Sequence, residues 1–151
     1  MKKLILIGRS EAGKTTLTQA LMGETVHYHK TQYVNFYRGI IDTPGEYAQV
    51  ARLGHALAVY TCEADVAGLL VSATEPYCLF PPCVTAQCNR EVIGIVTKID
   101  LPGARPDRAE KWLRLAGCRT IFFVNARANE GVAEILEYLR EPGDTLPWEK
   151  P

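Results

Sequence analysis

Apolar runs of strand length alternate with stretches of helical spacing along most of the chain. Leu4-Ile5-Leu6-Ile7 leads into Gly8 and predicts a buried first strand over 4–8. Lys14 to Met22 comes next as a helix, with Gly23 as its stop. Gln32 to Tyr37 alternates β-favouring residues, and Gly39 to Asp42 is a second short strand. Tyr47 to Glu63 carries Val50, Leu53, Leu57 and Tyr60 at helical spacing. Val66 to Ser72 and Val92 to Thr97 are continuous apolar runs, the signature of central strands covered on both faces. Between them, the three prolines of "TEPYCLFPPCVTAQCNR" leave room for only a short helix. Asp107 to Leu115 is helical and stops at Gly117, Ile121 to Val124 is the last strand, and Gly131 to Leu139 the last helix. The proline-rich tail "EPGDTLPWEK" is expected on the surface. Strands separated by helices predict an α/β domain over 1–140, with a mostly parallel central sheet flanked by helices and a tail over 141–151.

Composition narrows the partners. Lys plus Arg and Asp plus Glu both total 17 in 151 residues, so the formal net charge is zero. No polyanion-binding face is implied, and neither nucleic acid nor a membrane surface is an expected partner. No apolar stretch is long enough for a membrane span. Met1-Lys2-Lys3 before Leu4 has the charge of a signal peptide, but the apolar run is too short, and the expected location is cytoplasmic. Five cysteines (Cys62, Cys78, Cys83, Cys88 and Cys118) form no CxxC pair and are expected to be small, mostly buried thiols. The five-residue interval of Cys78, Cys83 and Cys88 suits no common zinc pattern. His27 and His29 flank Tyr28 as loop polar residues, and His55 is a packing residue of its helix.

The chemistry starts behind the first strand. Gly8-Arg9-Ser10-Glu11-Ala12-Gly13-Lys14-Thr15 matches the phosphate-binding pattern GxxxxGK[ST], with a strand before it and a helix after it. The glycines let successive backbone N–H groups turn inward toward oxygen. The helix that begins near Lys14 adds about half a positive charge at its N-terminus. Lys14 reaches the β- and γ-phosphates, and the Thr15 hydroxyl is a hard oxygen ligand suited to Mg2+. Thr16 packs or caps. The expected ligand is a nucleoside triphosphate or diphosphate.

Three later segments complete a site. "IIDTPGEY" puts Asp42 at a strand end, where it can hold Mg2+ through water, and the Gly45 N–H can touch a γ-phosphate. "GIVTKIDL" ends a strand with Thr97-Lys98-Ile99-Asp100, and "FFVNARANEGV" ends the last strand with Asn125-Ala126-Arg127. In this order behind a phosphate loop, the segments resemble the Ras-like P-loop GTPase superfamily over residues 1 to 140. The resemblance implies the three-layer P-loop NTPase fold. It also implies that Asp100 accepts two hydrogen bonds from guanine, that Lys98 covers the base and that the Ala126 N–H meets the guanine carbonyl. Adenine would leave Asp100 unpaired, which favours GTP and GDP over ATP. Thr97 stands where Asn is commoner, and Asn125 where Ser is usual.

The same resemblance asks for a γ-phosphate-sensing threonine, which would also ligate Mg2+; Thr31 in "HYHKTQYVNFY" is the first choice and Thr25 the second. Thr31 lies only eleven positions before Asp42, so the usual long hairpin is reduced to two very short strands. With "KTQ", "DTPGEY" and the Pro-Pro stretch, the chain is similar to the EutP/PduV family of ethanolamine and propanediol utilization, linked to bacterial microcompartments. Where efficient GTPases carry a glutamine, Glu46 comes after Gly45, and no arginine finger is evident, Arg38 and Arg52 being read as solvated side chains. Slow Mg2+-dependent GTP hydrolysis is the expected activity. The competing readings are a kinase for acetate or propionate and a non-catalytic adaptor docking through Pro76 to Val84. A microcompartment shell protein, a catabolic enzyme and a second copy of the chain are the implied protein partners.

Overall fold

The computed structural model describes residues 1–9, 12–22, 35–37, 40–42, 64–144 and 146. Within them, β1 (Leu4–Ile7) is followed by α1 (Lys14–Leu21), β2 (Asn35–Tyr37), β3 (Ile40–Asp42), β4 (Val66–Ser72) and β5 (Glu91–Thr97). Then come α2 (Pro106–Ala116), β6 (Thr120–Phe123) and α3 (Val132–Leu139), with a single 3-10 turn over Val84–Gln87 between β4 and β5. The helix expected over Tyr47 to Glu63 lies outside the described residues.

The six strands form one sheet in the order β2-β3-β1-β4-β5-β6. Only the β2–β3 pair is antiparallel; β3–β1, β1–β4, β4–β5 and β5–β6 are parallel. The continuous apolar runs explain this: every residue of β1 and β4 is buried, as a strand covered on both faces requires. Successive side chains point to opposite faces, so each strand splits its residues between two cores. Ile5 and Ile7 of β1 join Ala67, Leu69 and Val71 of β4 on one face, under Ala109, Leu113 and Ala116 of α2. Leu4, Leu6, Val66 and Leu70 face the other way, under Leu17 and Leu21 of α1 and Ile135 and Leu139 of α3. The result is the expected three-layer α/β arrangement.

Helix ends obey their local chemistry. Pro106 begins α2, and Gly117 ends it in the left-handed region. The main departure is the tail. Leu146 is fully buried in the core of α1 and α3, so the surface position expected for this segment fails there. The Met1 amino group also meets Glu141 at 3.0 Å and Asp144 at 2.6 Å, tying the segment after α3 to the start of β1. The cysteines are less uniformly buried than expected: Cys118 is buried, Cys78 and Cys88 are half-buried, and Cys83 is exposed.

Candidate functional site

The carboxyl ends of β1, β4, β5 and β6 converge on one rim of the sheet, the rim where open α/β sheets bind ligands. Gly8 leaves β1 so close to β4 that a Cβ would stand 2.9 Å from the Leu70 carbonyl oxygen, which leaves room only for glycine. Gly13 caps α1 at φ 99°, a left-handed conformation that an L side chain resists. Between them, the Ala12 N–H donates to the Arg9 carbonyl at 3.1 Å and closes the turn. The first turn of α1 contains no acidic residue, so the positive end of the helix is not offset by its own side chains.

Lys14 is 5% exposed, and its Nζ donates to the carbonyls of Gly8 at 2.8 Å and Arg9 at 3.0 Å. The ammonium is thereby curled over the loop, its stem in the core and its charge at the rim. Thr15 and Thr16 come next in the first turn, both half-buried. Arg9 is half-buried, its guanidinium 5.0 Å from the centre of the exposed Tyr77 ring.

The second half of the site is fastened to the first by one side chain. The Thr97 hydroxyl, buried at the end of β5, donates to the Ala12 carbonyl. The hydroxyl group therefore performs a specific task at the position where Asn is commoner. Lys98 is next at φ 58°, and the Leu101 N–H bonds the Lys98 carbonyl at 3.3 Å, closing a turn that leaves Asp100 exposed. Beside it, the Val124 N–H bonds the Val96 carbonyl at 2.8 Å. Asn125 then pairs both ways with Glu130, at 3.1 and 3.0 Å, and closes a tight loop containing Ala126 and exposed Arg127.

Gly8, Arg9, Ala12, Gly13, Lys14, Thr15, Thr97, Lys98, Asp100, Asn125, Ala126 and Arg127 thus line one rim. The backbone of Asp42 pairs with Leu6, at the β1 end that leads into the loop. Ser10, Glu11, Thr31, Gly45 and Glu46 lie outside the described residues, as does Thr25. Among the described residues, no cluster of three or more His, Cys, Asp or Glu side chains forms a metal site. Thr15 and Asp42 are the described residues that would hold the ion; a Thr hydroxyl and an Asp carboxylate are hard oxygen donors of the kind Mg2+ selects.

Glu75 lies beside this rim, and the motifs did not reveal it. It is 8% exposed in the turn after β4, and its Oε1 accepts the Ser72 N–H at 3.1 Å. Burial raises its pKa above the ordinary carboxylate value, opposed by the Ser72 bond and then by Arg9, Lys98 and Lys14. The signal available in the sequence was a glutamate directly behind an apolar strand in "LLVSATEPY".

The strand–loop–helix and the parallel sheet define a P-loop NTPase fold. A family model described as "Ethanolamine utilisation - propanediol utilisation" (PduV-EutP) matches residues 1–141. The propanediol utilization protein PduV of Citrobacter freundii is 46% identical over 142 residues, covering 92% of this chain and 93% of that one. A protein of Escherichia coli K12 named "Probable acetate kinase EutP" is 32% identical over 92% of this chain and 89% of its own. Elongation factor 4 of Bifidobacterium longum is 36% identical over 107 residues, 67% of this chain but 16% of that protein. The chain belongs to the PduV-EutP family.

Proposed function

We propose that this protein binds GTP and GDP with Mg2+ and hydrolyses GTP slowly, acting within ethanolamine or propanediol catabolism beside a microcompartment. The observation that carries this reading is the Thr97–Ala12 hydrogen bond. It joins the phosphate loop to the Lys98–Asp100 turn, so one ligand with phosphates at one end and a base at the other spans both. In this reading the N–H groups of the loop and Lys14 hold the phosphates, Thr15, Thr31 and Asp42 hold Mg2+, and Asp100 selects guanine. The same reading assigns Gly45 to the γ-phosphate and Glu46 to the attacking water. Glu46 is a poor replacement for a water-orienting glutamine, because its carboxylate repels the triphosphate; hence the slow turnover. The mechanism is positioning and charge stabilisation, with Lys14 and the α1 N-terminus offsetting charge on the transferred phosphoryl group.

The name carried by the E. coli relative favours a second reading, transfer of the γ-phosphoryl group to a carboxylate oxygen of acetate, giving an acyl phosphate and a nucleoside diphosphate. One incubation separates the two. Purified protein with Mg2+ receives GTP or ATP, with and without acetate, and both free phosphate and acyl phosphate are followed. Free phosphate from GTP, independent of acetate, is the expected result. Acetate-dependent acyl phosphate would replace the hydrolase by a kinase.

A further inference from the structure

Among the described residues, two charged side chains are buried, Lys14 at 5% exposure and Glu75 at 8%. Lys14 has an evident purpose in the phosphate loop. Glu75 does not: its carboxylate accepts the Ser72 N–H, a bond that a neutral amide oxygen would make equally well. Burying the charge is unfavourable, so something other than the turn must favour it.

The turn itself is built into the nucleotide rim. The Glu75 N–H bonds the Ser72 carbonyl at 3.0 Å, and the Ala73 N–H bonds the Thr97 carbonyl at 2.8 Å, on the residue whose hydroxyl holds Ala12. From the other side, Arg108 of α2 donates to the Glu75 carbonyl at 2.7 Å. The charges that face the carboxylate are Arg9 and Lys14 from the phosphate loop and Lys98 from the end of β5. Cys78, on the same loop, feels the Glu75 charge in turn. Three cations of the proposed site thus act on one buried anion.

We propose that Glu75 is an affinity-determining counter-charge of the nucleotide site, which takes up a proton as a polyphosphate enters the loop. The inference rests on the guanine-nucleotide reading above. Before binding, the carboxylate offsets the positive charge of Arg9, Lys14 and Lys98. The phosphates then compete for the same cations and turn the field at Glu75 negative, which favours the neutral acid. Linkage fixes the sign. Whatever binds the protonated form better raises the carboxyl pKa, so nucleotide affinity is greatest below the Glu75 titration and falls as pH rises through it.

The test is calorimetry of GDP with saturating Mg2+, from pH 5 to 8, in paired buffers of different ionisation enthalpy. Saturating Mg2+ keeps the nucleotide phosphates ionised. The wild-type protein is expected to take up protons on binding in a window above the ordinary carboxylate range. Glu75→Gln is expected to lose that uptake and to bind GDP about tenfold more tightly at pH 8. Wild-type affinity should approach that of the variant at pH 5. Histidine contributions persist in Glu75→Gln and subtract out. Heat of binding without proton uptake at any pH overturns the inference while leaving the nucleotide reading intact, and the wild-type measurement alone decides this if the variant fails to fold. A variant with unchanged uptake and affinity overturns it equally. Absence of heat with any guanine nucleotide removes the site reading itself.

Discussion

At the scale of single residues, the site depends on a few side chains whose bonds hold backbone in place. Thr97 is the clearest. Thr97→Val keeps the shape but leaves the Ala12 carbonyl without its hydroxyl partner, which should lower stability by about 1–3 kcal/mol in urea unfolding without nucleotide. An unchanged unfolding midpoint would show that the bond does not hold the loop. In the proposed reading Asp100 acts on the ligand instead. Asp100→Asn should weaken GDP binding by about a hundredfold or more and improve binding of xanthosine diphosphate, because the amide reverses the hydrogen-bonding pattern offered to the base. Equal guanine affinity in the variant would remove the base assignment. Glycine and lysine spacing made the phosphate loop readable in the sequence, since few other purposes require Gly8, Gly13 and Lys14 in that register. Glu75 was unreadable because its meaning depends on Arg9, Lys14 and Lys98, which are 66, 61 and 23 positions away in sequence and meet it only across strands.

At the scale of elements, burial on both faces made β1, β4 and β5 legible, because an apolar run without alternation has few other uses in a short segment. β4 coincides with the expected Val66–Ser72, and the expected ends of β5, β6, α2 and α3 shift by one residue. The tail departs from its expected surface course: proline and glycine mark a turn, but they do not reveal where the chain goes after it, and Leu146 returns to the core. Leu146→Ala should therefore cost about 2–4 kcal/mol in chemical denaturation, against almost nothing for a surface tail. The amino group of Met1 fastens the same segment. Its bonds to Asp144 and Glu141 raise its pKa above 8.0, while Asp144 is held below 3.8 chiefly by that amino group. The raised amine contributes stability that is lost as pH climbs through its folded pKa. The depressed carboxylate contributes stability that is lost as pH falls through its own. Protection factors of the 139–144 backbone amides, with the intrinsic pH dependence of exchange divided out, should be highest between these limits and lower at either side, and a flat profile would assign the tail's order to Leu146 alone.

At the scale of the whole molecule, the sheet order brings four strand ends to one rim, and this assembles the proposed nucleotide site out of segments separated by more than a hundred residues. Ligand that binds only the folded chain must raise the unfolding temperature by mass action. Magnesium GDP should do so here, and magnesium ADP at the same concentration should not. With a formal net charge of zero, the proposed affinity has to come from this local cradle and not from a general attraction for anions. The most direct measurement is therefore isothermal titration calorimetry of the wild-type protein with Mg2+ and, in turn, GDP, GTP, ADP and ATP. The expected result is saturable binding of both guanine nucleotides at one site, with adenine nucleotides weaker by about 10^4-fold. Equal affinity for adenine and guanine would contradict the role of Asp100, and no heat from either would contradict the nucleotide site as a whole.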